Sequence, residues 1–110
     1  MEIKIIPGKV DVIALRGTMD ALTSPEVISA LAKHINDGHP NLVVDFTGVE
    51  FMSSAGLRAL LASVKEARGQ SGDLRLASVP GAIDKILKMA GFHNIVKIYA
   101  SVDEALASFG

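Results

Sequence analysis

The chain contains no cysteine and no tryptophan, and its aromatic residues are limited to 4 Phe and 1 Tyr. The absence of cysteine excludes disulfide bonds and thiol chemistry. Almost half of the residues, 49%, are nevertheless hydrophobic. The core is therefore expected to be aliphatic, built mainly from Val, Ile, Leu and Ala.

A strong net charge and long apolar runs are also missing. Lys and Arg total 11 against 12 Asp and Glu, a net charge of −1, so there is no general electrostatic reason to bind nucleic acid or an anionic membrane. No apolar run approaches the roughly 18 residues that a membrane-spanning helix needs. The first residues show no signal-peptide pattern. We therefore expect a cytoplasmic protein without direct membrane insertion.

The pattern of apolar and turn residues predicts one domain over residues 1–110. Ile3, Ile5 and Ile6 indicate a strand, Pro7-Gly8-Lys9 a turn, and Val10 to Leu15 a second strand. The segment Gly17 to Leu22 is expected to break that strand. Further strands are predicted at about 42–46, 74–77 and 95–99.

Four helices are predicted between and after these strands. The first begins at Thr23, which has capping-box spacing to Glu26, and Gly38 ends it. The others run from Ser54 to Gly69 or Gly72, from Pro80 to Gly91, and after a second capping box at Ser101–Glu104. The apolar stripes predict that these side chains are buried: Val27, Ile35, Leu60, Leu61, Val64, Ile83 and Leu87.

The resulting order, β-β-α-β-α-β-α-β-α, predicts an α/β fold with a mixed, mostly parallel sheet, an N-terminal antiparallel hairpin and about four helices. Loops that leave the carboxyl ends of parallel strands gather at one edge of the sheet. The loops Gly17–Thr23, Thr47–Ser53 and Ser78–Gly81 are of this kind. Asp20 and Ser54 are therefore expected at the same end of the molecule.

The segment from Phe51 to Leu57 contains two adjacent serines at the start of a predicted helix. A serine there can cap the free N–H groups of the first turn, and the helix N-terminus also stabilises the negative charge of a phosphate. Ser53 and Ser54 are equally good caps on spacing alone. Gly56 is costly in a first turn, by roughly 1 kcal/mol relative to Ala, which suggests that a partner or another backbone needs the room.

Other chemistry is poorly supported by the sequence. Asp45 is expected to accept loop amides. The three histidines, His34, His39 and His93, match no metal-ligand spacing and are expected on the surface. There is neither a phosphate-binding G-x-x-x-x-G-K-[ST] loop nor a Ser-His-acid arrangement. We therefore predict no catalytic residues, no metal site and no cofactor, and a protein that is not an enzyme.

The chain resembles the STAS domain, and especially the anti-sigma-factor antagonists. The resemblance rests on Gly17-Thr18-Met19-Asp20, which is similar to the family's Gly-x-Leu/Met-Asp element, on the strand Leu42 to Phe46, and on the block Phe51 to Leu57. It implies that Ser54 is phosphorylated by a partner that is both a kinase and an anti-sigma factor, with Asp20 beside it. Many antagonists have Asp where this chain has Ser53.

The resemblance also implies a function. The unphosphorylated protein would bind the anti-sigma factor and serine kinase, and phosphorylation of Ser54 would release it. The partner-binding residues would be Asp20, Ser53, Ser54, Ala55, Gly56 and Arg58. A serine phosphatase is a further expected partner, and ATP and Mg²⁺ would belong to the kinase. Two alternatives are a scaffold subunit of a sensory assembly and a stand-alone STAS accessory subunit of a transporter.

Overall fold

The chain folds into a five-stranded sheet with helices on both of its faces. The computed structural model describes residues 1–110. Every helix is either too short or too polar to traverse a lipid bilayer. In chain order the elements are β1 (Glu2–Ile6), β2 (Asp11–Met19), α1 (Ser24–Asn36), β3 (Asn41–Met52), α2 (Ser54–Gly69), β4 (Asp73–Ala77), α3 (Gly81–Met89), a 3₁₀ turn (Phe92–Asn94), β5 (Ile98–Tyr99) and α4 (Val102–Ala107).

The strands lie in the sheet in the same order as in the chain, β1-β2-β3-β4-β5. β1 is antiparallel to β2, and the remaining neighbours are parallel. This arrangement confirms the predicted α/β class and the N-terminal hairpin. Because β2, β3 and β4 run the same way, their carboxyl ends share one edge of the sheet.

The alternation of side chains along the strands divides the core into two layers. Val44 and Leu76 belong to the large cluster under α1, α2 and α3, whereas Val43 and Ala77 belong to a small cluster with Ala105 of α4. Most of the predicted core positions are confirmed as buried: Val27, Ile35, Leu60, Val64, Ile83 and Leu87. Leu61 is instead half-buried and packs against the margin of the large cluster.

β2 and β3 are longer than their sequence patterns predicted. The segments after Leu15 and Phe46 were expected to be loops, but both remain in the sheet until Met19 and Met52. Two register irregularities absorb the turn-forming residues, one of them beside Gly48. A Cβ at Gly48 would lie 3.0 Å from the Cβ of Arg16. A side chain at this position would therefore force a small shift where β2 and β3 approach each other closely, which favours glycine there.

The start of α1 also differs from the prediction, because the side chain of Thr23 does not cap the helix. Its hydroxyl donates to the carbonyl of Thr18 at 2.6 Å and accepts from the N–H of Asp20 at 3.0 Å. Glu26, expected as the second half of a capping box, lies 3.5 Å from the amino group of Met1. Thr23 thus stabilises the preceding turn rather than the helix.

The last strand is shorter than the predicted 95–99. The N–H groups of Ile95 and Val96 both donate to the carbonyl of Phe92 at 2.9 Å, so this stretch continues the 3₁₀ turn instead of extending the sheet. Of the second predicted capping box, the N-cap half is present: the hydroxyl of Ser101 accepts from the N–H of Glu104 at 3.1 Å, but the Glu104 side chain does not accept from the N–H of Ser101.

The three histidines do not all lie on the surface as predicted. His39 and His93 are exposed, but His34 is partly buried against Asp11. The Oδ2 atom of Asp11 lies 3.2 Å from Nδ1 of both His34 and His39. These contacts are within ion-pair distance, yet their angles are not those of hydrogen bonds. Asp11 Oδ1 accepts from the N–H of Gly8 at 3.0 Å and so ties the hairpin turn to β2.

Candidate functional site

The ends of β2 and β3 lie side by side and bring the two predicted site segments together. Met19 and Met52 are neighbours in the parallel register. The N–H of Ser53 donates to the carbonyl of Met19 at 2.8 Å, one residue beyond the end of β3. The segments beginning at Asp20 and Ser54 therefore start from adjacent strands at the same edge of the sheet. This placement confirms the geometric prediction.

Gly56 allows the first turn of α2 to pack directly on the end of β2. A Cβ at this position would lie 2.9 Å from the carbonyl oxygen of Met19 and 3.0 Å from the Cγ of Met52. Such separations are too short for a real Cβ, so the backbone would have to shift. From the sequence, either a partner or another backbone could be the reason for a glycine at position 56. In the structure the space is taken by the backbone of Met19.

The two adjacent serines have different environments. Ser53 is the N-cap of α2: its backbone is extended and its hydroxyl accepts from the N–H of Gly56 at 3.4 Å. Ser54 is the first residue of the helix, is exposed, and makes no side-chain hydrogen bond within the chain. Because Ser53 performs the capping, the hydroxyl of Ser54 is free for chemistry.

Asp20 organises the turn that follows β2. Its Oδ1 atom accepts from the N–H groups of Leu22 at 2.9 Å and Thr23 at 3.1 Å. Both hydrogen bonds favour the charged carboxylate, and the one from Thr23 contributes most. They lower the pKa of Asp20 from its ordinary value. Asp20 therefore carries negative charge at neutral pH, on the edge of the sheet at which α2 begins.

The predicted partner-binding residues differ in accessibility. Ser54 and Arg58 are exposed, and Asp20, Ser53 and Ala55 are half-buried. Gly56 is buried, so its role is to allow close packing and not to contact another molecule. The accessible part of the site is the first turn of α2 together with the turn after β2.

Two exposed apolar residues, in the turn after β2 and near the end of β3, were not identified from the sequence. Leu22 is 90% exposed and Phe51 is 51% exposed. Leu22 is held by the Asp20 turn, and Phe51 is the penultimate residue of β3. In the sequence Leu22 is indistinguishable from a residue that folds back onto the core.

The site is a surface rather than a pocket. The largest groove, of about 530 Å³, lies on the part of the α4 face that α4 leaves uncovered, along β1, β2 and β3. Neither Ser54 nor Asp20 lines any of the four grooves present. No group of three or more His, Asp, Glu or Cys side chains is arranged to hold a metal ion. This geometry suits a macromolecule that covers the first turn of α2.

Comparison with known proteins identifies the family. The family model described as the STAS domain matches residues 1–105. The chain belongs to the STAS domain family. The sequence is similar to BtrV of Bordetella bronchiseptica, which is named as an anti-sigma factor antagonist, with 27% identity over 109 residues, covering 96% of this chain and 94% of the relative.

Solved structures show the same fold in more than one setting. An anti-sigma factor antagonist from Mycobacterium paratuberculosis superposes with a TM-score of 0.88 at 25% identity, covering 97% of this chain and 92% of that one. The STAS domain of a SulP transporter from Vibrio cholerae superposes with a TM-score of 0.76 at 16% identity, covering 94% and 82%. The fold alone therefore does not distinguish a regulator from a transporter component.

Proposed function

We propose that this STAS domain protein is an anti-sigma-factor antagonist whose binding is gated by phosphorylation of Ser54. The unphosphorylated protein binds an anti-sigma factor that is also a serine kinase. Phosphorylation by that kinase releases the protein, and a serine phosphatase restores the binding form. The observation that carries the proposal is the different environment of the two serines. Ser53 caps α2, whereas the Ser54 side chain is exposed and makes no hydrogen bond within the chain.

The surroundings of Ser54 support a switch that acts through charge. A phosphate adds about −1.5 to −2 charges at neutral pH. The helix N-terminus tolerates this charge within the protein itself. A partner surface complementary to the unmodified site would instead face the new charge together with the ionised Asp20. Phosphorylation is therefore expected to act on binding and not on folding.

The shape and polarity of the site support a protein partner. Leu22, in the turn that shares its sheet edge with the start of α2, offers an exposed apolar side chain, and Ser54 and Asp20 line no groove that could hold a small molecule. The sequence relative and the solved structure named as anti-sigma factor antagonists point to the same class of partner. In this role the protein is a ligand and a substrate of the kinase rather than an enzyme, and the kinase holds the ATP. Binding and release of the kinase take place in the cytoplasm.

A phosphorylation assay with matched serine variants tests the proposal. Histidine-kinase-like serine kinases and anti-sigma factors encoded in the source genome would be expressed, and the one that binds the unmodified protein would be incubated with ATP and the parent, Ser53→Ala or Ser54→Ala. The modified residue would be mapped by mass spectrometry. We expect modification of the parent and of Ser53→Ala, and none of Ser54→Ala.

Two results would contradict the proposal in different ways. Modification that persists in Ser54→Ala and disappears in Ser53→Ala would show that Ser53, and not Ser54, accepts the phosphate. Binding only to an ABC-type ATPase, with no phosphorylation at either serine, would instead favour the transporter accessory subunit.

A further inference from the structure

The outer edge of β1 is a free strand edge. β1 is the first strand of the sheet and pairs only with β2. Residues 2–6 make no backbone hydrogen bonds other than those of this pairing. A five-residue edge with unpaired N–H and C=O groups is a template for another strand.

Alternation along β1 places Glu2, Lys4 and Ile6 on one face of the strand and Ile3 and Ile5 on the other. Glu2 and Lys4 lie on the α4 face of the sheet, on the part that α4 leaves open, opposite Arg16 and Ala14, and both are exposed. Neither forms an ion pair within the chain, although each lies beside other charged residues of the open groove. On the other face, Ile3 is half-buried and Ile5 is 42% exposed.

These features restrict how a second copy of the chain could pair with β1. Two copies related by a two-fold axis perpendicular to the sheet pair antiparallel, and the axis passes through one residue. Centring on Lys4 places two lysines opposite each other. Centring on Ile5 places Ile3 opposite Pro7, which has no N–H to donate. Centring on Ile3 instead places Glu2 opposite Lys4 of the second copy, twice.

We infer that the protein forms a symmetric dimer through β1, with the axis at Ile3. The pairing joins two five-stranded sheets into one ten-stranded sheet and satisfies the free backbone groups of both edges. On the α4 face, two Glu2–Lys4 pairs cross the interface. On the face that α1, α2 and α3 cover, Ile3 contacts Ile3 of the second copy, and Ile5 contacts Met1. The charge complementarity specifies a second copy rather than an unrelated strand.

The dimer leaves both phosphorylation sites accessible. The two-fold axis reverses the strand direction between the copies, so the edges that carry Ser54 point to opposite ends of the assembly. The interface involves none of Asp20, Ser53, Ser54 or Leu22. The inference is therefore independent of the proposed function and can be tested without any partner.

Because the chain contains no cysteine, single cysteines report directly on the register. The three variants Ile3→Cys, Lys4→Cys and Ile5→Cys would be oxidised under identical conditions, and the disulfide-linked dimer quantified on non-reducing gels. Directly opposed residues in antiparallel strands have Cα atoms about 4.5–5.5 Å apart, which suits a disulfide. We expect Ile3→Cys to cross-link most rapidly. Faster cross-linking of Lys4→Cys or Ile5→Cys would overturn the register.

Sedimentation velocity across a concentration series provides a second test that does not depend on the cysteines. Lys4→Glu sets Glu against Glu and is expected to weaken the dimer by about tenfold or more. The double variant Glu2→Lys with Lys4→Glu exchanges the two charges and is expected to restore it. Both positions are exposed, and circular dichroism would verify folding. A monomer throughout the series, up to millimolar concentration, would overturn the proposal, as would a dimer that is insensitive to Lys4→Glu.

Discussion

The carbonyl oxygen of Met19 accepts the backbone N–H of Ser53 at 2.8 Å. The end of one strand thereby supports the start of the helix that follows its neighbour. The same carbonyl leaves no space for a side chain at Gly56. This relationship determines which serine caps α2 and which one is presented to solvent.

Replacement of Gly56 by Ala should destabilise the protein, although Ala is the better helix former. The new Cβ would overlap the carbonyl of Met19, and overpacking of this kind costs about 1–3 kcal/mol. Gly69, also in α2, has no atom within 4 Å of the position of its missing Cβ. Gly69→Ala is therefore the matched control and should be neutral or stabilising by up to about 1 kcal/mol. Urea unfolding of both variants checks the prediction, and equal effects would contradict it.

Ser53→Ala should lower stability, whereas Ser54→Ala should not. Loss of an N-cap side chain costs about 0.5–2 kcal/mol, and the 3.4 Å distance from the Ser53 hydroxyl to the N–H of Gly56 favours the lower part of that range. Ser54 makes no side-chain hydrogen bond that could be lost. Thermal melts of the two variants measure the difference. A larger loss for Ser54→Ala would show that the assignment of the cap is wrong.

Ser54→Asp should reduce binding to the kinase without reducing stability. A negative charge in the first turn of a helix stabilises it by roughly 0.3–1 kcal/mol, while mispaired charge at an interface costs several kcal/mol, which is a hundredfold or more in affinity. The melting temperature and the affinity of Ser54→Asp would be compared with those of the parent and of Ser54→Ala. Affinity equal to that of the parent would contradict a charge-based switch.

The turn held by Asp20 should make stability depend on pH in acid. The pKa of Asp20 is lower in the folded protein than its ordinary value of 3.8, so the unfolded chain takes up the proton more readily. The stabilisation is therefore present above that value and is lost as the pH falls through the folded-state pKa. Asp20→Asn should retain the acceptor for Leu22 and Thr23 but show a weaker decline in stability between about pH 5 and pH 2. An unchanged pH profile would contradict this role.

Asp73 provides a control away from the proposed phosphorylation site. Burial raises the pKa of Asp73, but the hydrogen bonds from Arg75 and Arg68 outweigh it and lower the pKa overall. The Nε atoms of these arginines lie 3.0 and 3.1 Å from the carboxylate oxygens. Asp73→Ala should cost about 1–2 kcal/mol and leave phosphorylation of Ser54 unchanged. A change in the phosphorylation rate of the folded variant would show that the two regions are coupled.

The local pattern of the chain was enough to predict the order of the elements. The apolar stripe of α2 and the turn at Pro7-Gly8 depend on neighbours within a few residues, and each points to one kind of element. The parallel sheet then follows from the alternation of strands and helices, and with it the common edge for Asp20 and Ser54. Family resemblance added the choice of Ser54 as the phosphate acceptor, which stays a prediction.

The sequence by itself therefore determined which segments form helices and strands, the order of these elements, and the shared sheet edge of the loop that contains Asp20 and the loop that precedes Ser54. The tertiary structure decided the rest, because these features depend on residues distant in the chain. Pairing with β2 holds Gly48 in a strand, although glycine is depleted in strands and common in turns. The carbonyl of Met19 fixes the path of α2, so Ser53 rather than Ser54 becomes the cap. The exposure of Leu22 likewise follows from the Asp20 turn, which the apolar pattern alone does not reveal.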